Sequence, residues 1–332
     1  SNLEYVVGGF RLMRHVGMSF GIIPFTNVGY DYSTSGYVNK EDKDVTYSNS
    51  YSGEGGLHQV YLGAGWSPVK GLAVGANIGY LWGSINKTVQ NAYSNSYYKS
   101  LYRTYGTSVH NYKLDLGIQY TQKISKKDEL TLGLTYTPGH NLHADADMNI
   151  ISSNAQTSTS DTLAFSINNA YELPTMIGAG LMWNHNHQWK VGFDYTLQKW
   201  GSLGYPTYSA NSSESWALRD GIYMDRSKFN LGFQYCYAEN GRASFLKRVH
   251  YRAGVSYATP YYKVNGVDGP KEISVSAGFG IPIMNGYNNR SQLNISGQWV
   301  KSSAKDLIKE NSFRINIGFT FNEDWFKKWK MQ

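Results

Sequence analysis

Hydrophobic and polar residues alternate one for one near the end of this chain. Phe313, Ile315, Ile317, Phe319 and Phe321 are interleaved with Arg314, Asn316, Gly318 and Thr320. Successive side chains of an extended strand point to opposite faces, so one face here is greasy and the other wet. The same period returns in Leu72, Val74, Ala76, Ile78, Tyr80 and Trp82, and again in Leu114, Leu116, Ile118 and Tyr120. It recurs in Leu130, Leu132, Leu134 and Tyr136, and in Trp189, Val191, Phe193, Tyr195 and Leu197. The opposite rows carry Gly, Asn, Gln, Asp and Thr. So many apolar rows exceed what a soluble sandwich can expose. The pattern predicts an all-β fold, a transmembrane antiparallel β-barrel with lipid-facing apolar rows and lumen-facing polar rows.

Reading for alternation predicts thirteen spans, at roughly 3–10, 16–37, 57–67, 71–92, 103–123, 128–150, 173–184, 188–201, 228–238, 248–259, 271–285, 291–302 and 312–321. Short turns at 69–70, 125–128, 184–188 and 286–291 alternate with longer polar segments near 38–56, 151–172, 202–227 and 260–270. Outer-membrane barrels have short periplasmic turns and long extracellular loops, so the C-terminus is expected on the periplasmic side. Bacterial single-chain barrels have an even number of strands. The odd count therefore predicts about 14 strands, with one strand upstream of Ser1 and the chain a piece of a longer protein. The expected division is a single barrel over 1–323 and a short tail over 324–332. That tail joins Trp325, Phe326 and Trp329 to Lys327, Lys328 and Lys330, the mixture that anchors at a membrane interface.

Composition sharpens this picture in a few places. Aromatics make up 15%, led by 28 Tyr and 9 Trp, and 35 Gly accompany them, as suits interfacial girdles and bending strands. Mean hydropathy is −0.45 and there is no uninterrupted apolar run of about 18 residues, so helical spans are excluded. The net charge of +7 is scattered over turns and forms no stripe interleaved with aromatics, which argues against nucleic acid. One cysteine, Cys236, excludes an intramolecular disulfide and reads as a buried thiol.

Four segments resemble the FadL-type outer-membrane transporters of hydrophobic compounds, in a form like those of Bacteroidetes. They are GMSFGIIPFTNVGY from Gly17 to Tyr30, ELPTMIGAG from Glu172 to Gly180, DYTLQKWGS from Asp194 to Ser202, and RAGVSYATP from Arg252 to Pro260. Their order and spacing extend over nearly the whole chain. The family's N-terminal hatch, with its Asn-Pro-Ala segment, has no counterpart in these residues. The resemblance implies passive transport of hydrophobic small molecules such as long-chain fatty acids, with no cofactor. It also implies an inward kink in an early strand through which ligand leaves sideways into the outer leaflet.

Pro24 is the residue that such a kink would use. Proline removes a ladder hydrogen bond and belongs at a bulge or an edge. Parity puts Ile23 and Phe25 on the lumen row beside it, so Ile23, Pro24 and Phe25 are the candidate ligand path or lateral opening. The bland alternative puts Pro24 at the rim and Phe25 in the aromatic girdle.

Other chemistry is thin. His140, His143, Asp145 and Asp147 have ligand-like types, but strand parity separates His140 from the other three, so a polar strand end is expected. His185 and His187 read as a periplasmic turn, and Glu41, Asp42 and Asp44 as a solvated acidic loop. No nucleophile motif marks an enzyme. The expected function is passive outer-membrane transport of hydrophobic molecules with lateral release through a break in the wall. The alternative is a non-transporting scaffold barrel in an outer-membrane complex such as secretion machinery, and a polar porin is a third reading. Partners are accordingly a hydrophobic small molecule or lipid, the outer-membrane lipids, and protein partners in the scaffold case.

Overall fold

The structure, a computed structural model, describes residues 4–39, 44–209, 215–238, 243–264, 266–285, 288–305 and 309–321. Glu41, Asp42 and the aromatic-lysine tail lie outside these residues. Thirteen strands follow one another in a single antiparallel succession. They are β1 (Val6–Met13), β2 (Val16–Tyr37), β3 (Thr46–Val69), β4 (Leu72–Tyr93), β5 (Ser100–Lys123), β6 (Asp128–Thr137) and β7 (Met176–His185). After these come β8 (Trp189–Gln198), β9 (Arg226–Tyr235), β10 (His250–Ala258), β11 (Lys271–Asn285), β12 (Asn288–Ser303) and β13 (Lys309–Thr320). Each pairs with the next, so chain order and spatial order coincide, as in an up-and-down barrel. Between β1 and β13 no ladder occurs among the described residues. The Tyr5 hydroxyl nevertheless comes within 3.9 Å of where a Cβ on Gly318 would stand, so the sheet curls and brings its ends together.

The outward rows fall where alternation puts them. Ile78 is 58% exposed and Ile317 is 65% exposed, in line with Leu62, Ile118, Leu134, Phe193, Leu231 and Val255 around the wall. Residues directly opposite one another in an antiparallel pair share a face. The ladders therefore join these side chains into a continuous lipid-facing band, with Trp66, Trp183, Trp189 and Trp299 among its exposed rings.

Strand height is unequal around the ring. β2 to β5 run 22 or 24 residues, whereas β6 to β10 run 9 or 10. A tilted strand of about 10 residues suffices to cross the bilayer. The upper halves of β2 to β5 thus rise above the apolar band as a wall at the end that carries the long connections, which in outer-membrane barrels is the extracellular end. A hairpin of Ala146–Asn154 and Thr159–Ile167 extends it by pairing with residues 100–106 of β5. A second hairpin, Tyr205–Tyr208 with Trp216–Arg219, packs against that addition. The Trp216 indole donates to the Ala146 carbonyl (3.0 Å), Trp216 meets Tyr105, and Phe165 meets Tyr208, over a fully buried Met148.

Several expected boundaries are corrected here. The segment 38–56, expected as a loop, is strand from Thr46 onward, and 151–172 and 202–227 each contain strands. Above the membrane the outer face of a strand meets water, so no apolar row marks it; Ser48, Ser50 and Ser52 stand where lipid-facing residues would be. The expected single span 128–150 breaks at Thr137, because Pro138 and Gly139 follow and residues 146–154 turn to β5 instead of β7. Cys236 sits just past β9, buried, with its thiol facing the carbonyls of Lys247 and Arg248 in the short helix Phe245–Arg248.

Candidate functional site

The wall has a break between β5 and its neighbour. β6 pairs with residues 116–123 of β5 and the extracellular hairpin pairs with residues 100–106. Residues 107–115 face no strand ladder on that side. The missing ladder follows from a bend in β6 and β7 just above their pairing at Thr137 and Met176, where Pro138-Gly139 and Pro174-Thr175 interrupt both chains. Beyond the bend, His140–Asn141 pairs with Glu172–Leu173 as a separate small ladder. Gly139 is needed at the bend, since a Cβ there would meet the Thr175 nitrogen at 2.7 Å.

Side chains suture the break at three levels. Thr137 Oγ1 donates to Asp115 Oδ1 at 2.6 Å, and Asn111 Nδ2 donates to the Asn141 carbonyl at 3.0 Å. Between them His140 Nε2 donates to the Tyr112 carbonyl at 2.9 Å, with its ring flat on the Tyr112 ring. Asp115 also pairs with Lys113, so the polar luminal groups at this level are satisfied.

Behind the break the chain fills the lumen side of the tall wall. Leu57, Leu81 and Val109, on the inward rows of β3, β4 and β5, pack with Leu142, Ala144 and Leu173 of the bent segments, and Phe25, Ile85 and Tyr171 flank them. Leu81 has 0% exposure. The same level is a kink line across three strands: the register of β2 shifts between Pro24 and Thr26, Gly55 of β3 has φ +104°, and Gly83 of β4 has φ +142°. At Gly83 a Cβ would also collide with the Gly56 carbonyl.

The residues singled out in the sequence lie on this line. Pro24 is exposed and Ile23 half-buried, while Phe25, the bulge residue, packs on the luminal cluster. β2 stays paired with β3 on both sides of the bulge, and β1 has ended at its Val6 partner, Ile22. Sequence reading missed the break at β5, although Pro138-Gly139 and Pro174 are its signal. His143 Nδ1 lies 3.1 Å from the Asn169 amide oxygen, and Asp145 accepts from the Asn169 N–H; both hold the bent segments together. Among the described residues no three His, Cys, Asp or Glu side chains converge as a metal site. At the opposite end Asp128 binds His185 Nδ1 (2.7 Å) and the Trp183 indole, while Asn184 lies near His187, which fixes that turn.

Aromatic rings roof the extracellular mouth. Tyr205 meets Tyr223 edge-on with centroids 5.4 Å apart, Trp200 contacts Tyr223 and Tyr261, and Tyr261 contacts Tyr262. These rings come from the connections after β8 and β10. From the side of the tall wall Tyr105 of β5 meets Trp216, and Tyr30 of β2 meets Tyr32. Burial pushes the phenols of Tyr171, Tyr205, Tyr223 and Tyr261 above their ordinary range. Lys199 and the Gly201 N–H hold the Asp225 carboxylate at 2.7 and 2.9 Å, and this lowers its pKa.

Across from the cluster the lumen wall carries charged and amide side chains. A cavity of about 550 Å³ along β8 to β12 is lined by Lys190, Asp194, Lys228, Gln234, Arg252 and Gln298, among others. Arg252 donates to Gln234 (2.9 Å), Asn294 (2.6 Å) and Gln292 (3.0 Å), all neutral acceptors. It reaches β12 by crossing the side-chain-free Gly278 and Gly280 of β11. Among the described residues the interior thus holds an apolar plug on one side and a groove bearing charged and amide side chains on the other.

This arrangement defines a class, the outer-membrane β-barrels. Two similar solved structures are the Ralstonia pickettii toluene transporter TbuX, with 14% identity, a TM-score of 0.59, and coverage of 94% of this chain and 79% of that one, and the CymD monoaromatic hydrocarbon channel, with 14% identity, a TM-score of 0.58 and coverage of 90% and 77%. A Pseudomonas aeruginosa FadL homologue shares 11% identity at a TM-score of 0.53, covering 87% and 70%. At such identities the likeness is one of fold. The chain belongs to the BamG family, whose model matches residues 1–332. The resemblance to FadL-type transporters therefore holds for the architecture, while the family is BamG. No curated protein matches the chain.

Proposed function

We propose that this barrel is a non-transporting structural subunit that holds partner proteins in an outer-membrane assembly. The observation that carries this reading is the interior. The apolar cluster around Leu81 is filled by the chain's own Leu142, Ala144 and Leu173, and charged and amide side chains such as Lys190, Asp194, Lys228 and Arg252 stand in the neighbouring groove, both of which disfavour a hydrophobic passenger. The tall wall and the roofed mouth support the same reading, because they spend ordered chain on an extracellular surface. The test is purification of the tagged protein from outer membranes under mild detergent, together with uptake of labelled toluene and a labelled long-chain fatty acid into liposomes bearing the protein. A stoichiometric membrane complex and background uptake are expected; saturable uptake by the protein alone would overturn the reading.

A second reading is transport of hydrophobic molecules, long-chain fatty acids included, with lateral release beside Ile23, Pro24 and Phe25. The bulge at Phe25 next to the apolar cluster supports it, as does the fold shared with hydrocarbon channels. In that case Pro24→Val, which restores a ladder donor, should reduce fatty-acid uptake while a small polar solute passes unchanged. Equal uptake by both forms would remove release at that point.

A further inference from the structure

Lys271, Lys301 and Lys309 stand together on the outward face of β11, β12 and β13, at the end of the barrel that carries the long connections. Register fixes their placement. Lys271 is opposite Ser303, which is opposite Lys309; Lys301 comes one pleat lower, opposite Ile273 and Asn311. The next row down is Val275, Trp299 and Phe313, and further down lie Phe279, Ile295 and Ile317, all exposed and apolar. The lysines therefore crown the lipid-facing band at the depth where hydrocarbon gives way to headgroups. Strand spacing and rise place the three Cα atoms within about 10 Å of one another.

All three lysines are exposed, and among the described residues none has a carboxylate at ion-pair distance. Glu272 and Glu310 alternate to the other face, and Glu272 is taken by Arg226. At the short-turn end, by contrast, Lys123 is paired with Glu129. Three lysine ammonium groups over an aromatic and aliphatic strip form an amphiphilic site: the charges match phosphate, and the strip matches acyl chains.

We propose that this patch binds the phosphate-bearing headgroup of an outer-leaflet lipid, with the acyl chains lying along Val275, Trp299 and Phe313. The apolar strip directly beneath the lysines points to a lipid phosphate over a free one. The inference rests on the barrel's orientation in the membrane and is independent of whether the barrel scaffolds or transports.

The experiment is native mass spectrometry of the full chain in non-ionic detergent, titrated with diphosphorylated lipid A, its monophosphorylated form and inorganic phosphate. The diphosphorylated lipid should bind best and inorganic phosphate not at all. Each of Lys271→Gln, Lys301→Gln and Lys309→Gln should weaken lipid binding about fivefold, and the triple variant at least tenfold. A Lys70→Gln, Lys126→Gln, Lys127→Gln variant at the opposite rim should bind as the parent does. Equal binding by the parent and the lysine variants, equal loss in the opposite-rim variant, or binding of inorganic phosphate as tight as the lipid would each overturn the proposal. Should the triple variant misfold by heat-modifiable gel migration, the single variants decide it by the same criteria.

Discussion

His140 lies flat against Tyr112, ring centroids 4.3 Å apart and planes 9° from parallel, while its Nε2 donates to the Tyr112 carbonyl across the break in the wall. The pair replaces a stretch of ladder with a side-chain latch. His140→Ala should therefore cost about 1 kcal/mol and raise amide exchange in residues 107–115, read by hydrogen-exchange mass spectrometry. Unchanged exchange there would mean that Asn111 and Thr137 hold the seam without it.

The luminal cluster should behave as a packed core. Leu81→Ala is expected to lower unfolding stability in urea by about 2–5 kcal/mol, the range for a buried leucine whose cavity cannot collapse. The lipid-facing Ile78→Ala on the same strand should cost far less. Equal effects would mean that the cluster is loosely filled.

Ile315, Ile317 and Phe319 should be reached by a lipid-soluble quencher when spin-labelled, and Asn316 by a water-soluble one. Ile317→Arg should destabilise the barrel by roughly 2–4 kcal/mol if that position lies near the bilayer midplane. Protection of Ile317 from the lipid-soluble quencher would contradict the register of β12 and β13.

The loop after β8 should loosen in acid. Asp225 has a carboxyl pKa below its ordinary value in the fold, through Lys199 first and the Gly201 N–H second. A depressed folded pKa contributes stability above the unfolded value, and that contribution is lost as pH falls through the folded one. Proteolytic nicking between residues 200 and 225 should rise below about pH 4, and Asp225→Asn should be nicked equally at neutral pH and in acid.

Alternation located all thirteen wall strands and their outward rows, because lipid imposes an apolar residue at every second position. It lost the strands wherever lipid was absent: Thr46 to Gly56 of β3 has Thr, Ser, Glu and Gly on its outer face, as a loop would. Pro174 was legible as a strand opener, but the bend it shares with Pro138 depends on two segments meeting in space. The Tyr223–Tyr261 and Tyr105–Trp216 contacts join rings far apart in the chain, and no local pattern announces them. Pro24 and Phe25 were legible as a break in β2. Their partners in the kink line, Gly55 and Gly83, become visible only through the ladder.

The unequal strand lengths give the molecule a heading within the plane of the membrane. With β2 to β5 forming a parapet and β6 to β10 continued above the bilayer by connections instead of tall strands, a large neighbour at the cell surface meets a regular β-wall on one flank and loops on the other. Two different neighbours could not trade places around such a barrel. Any assembly it joins inherits a fixed left and right from the height of four strands.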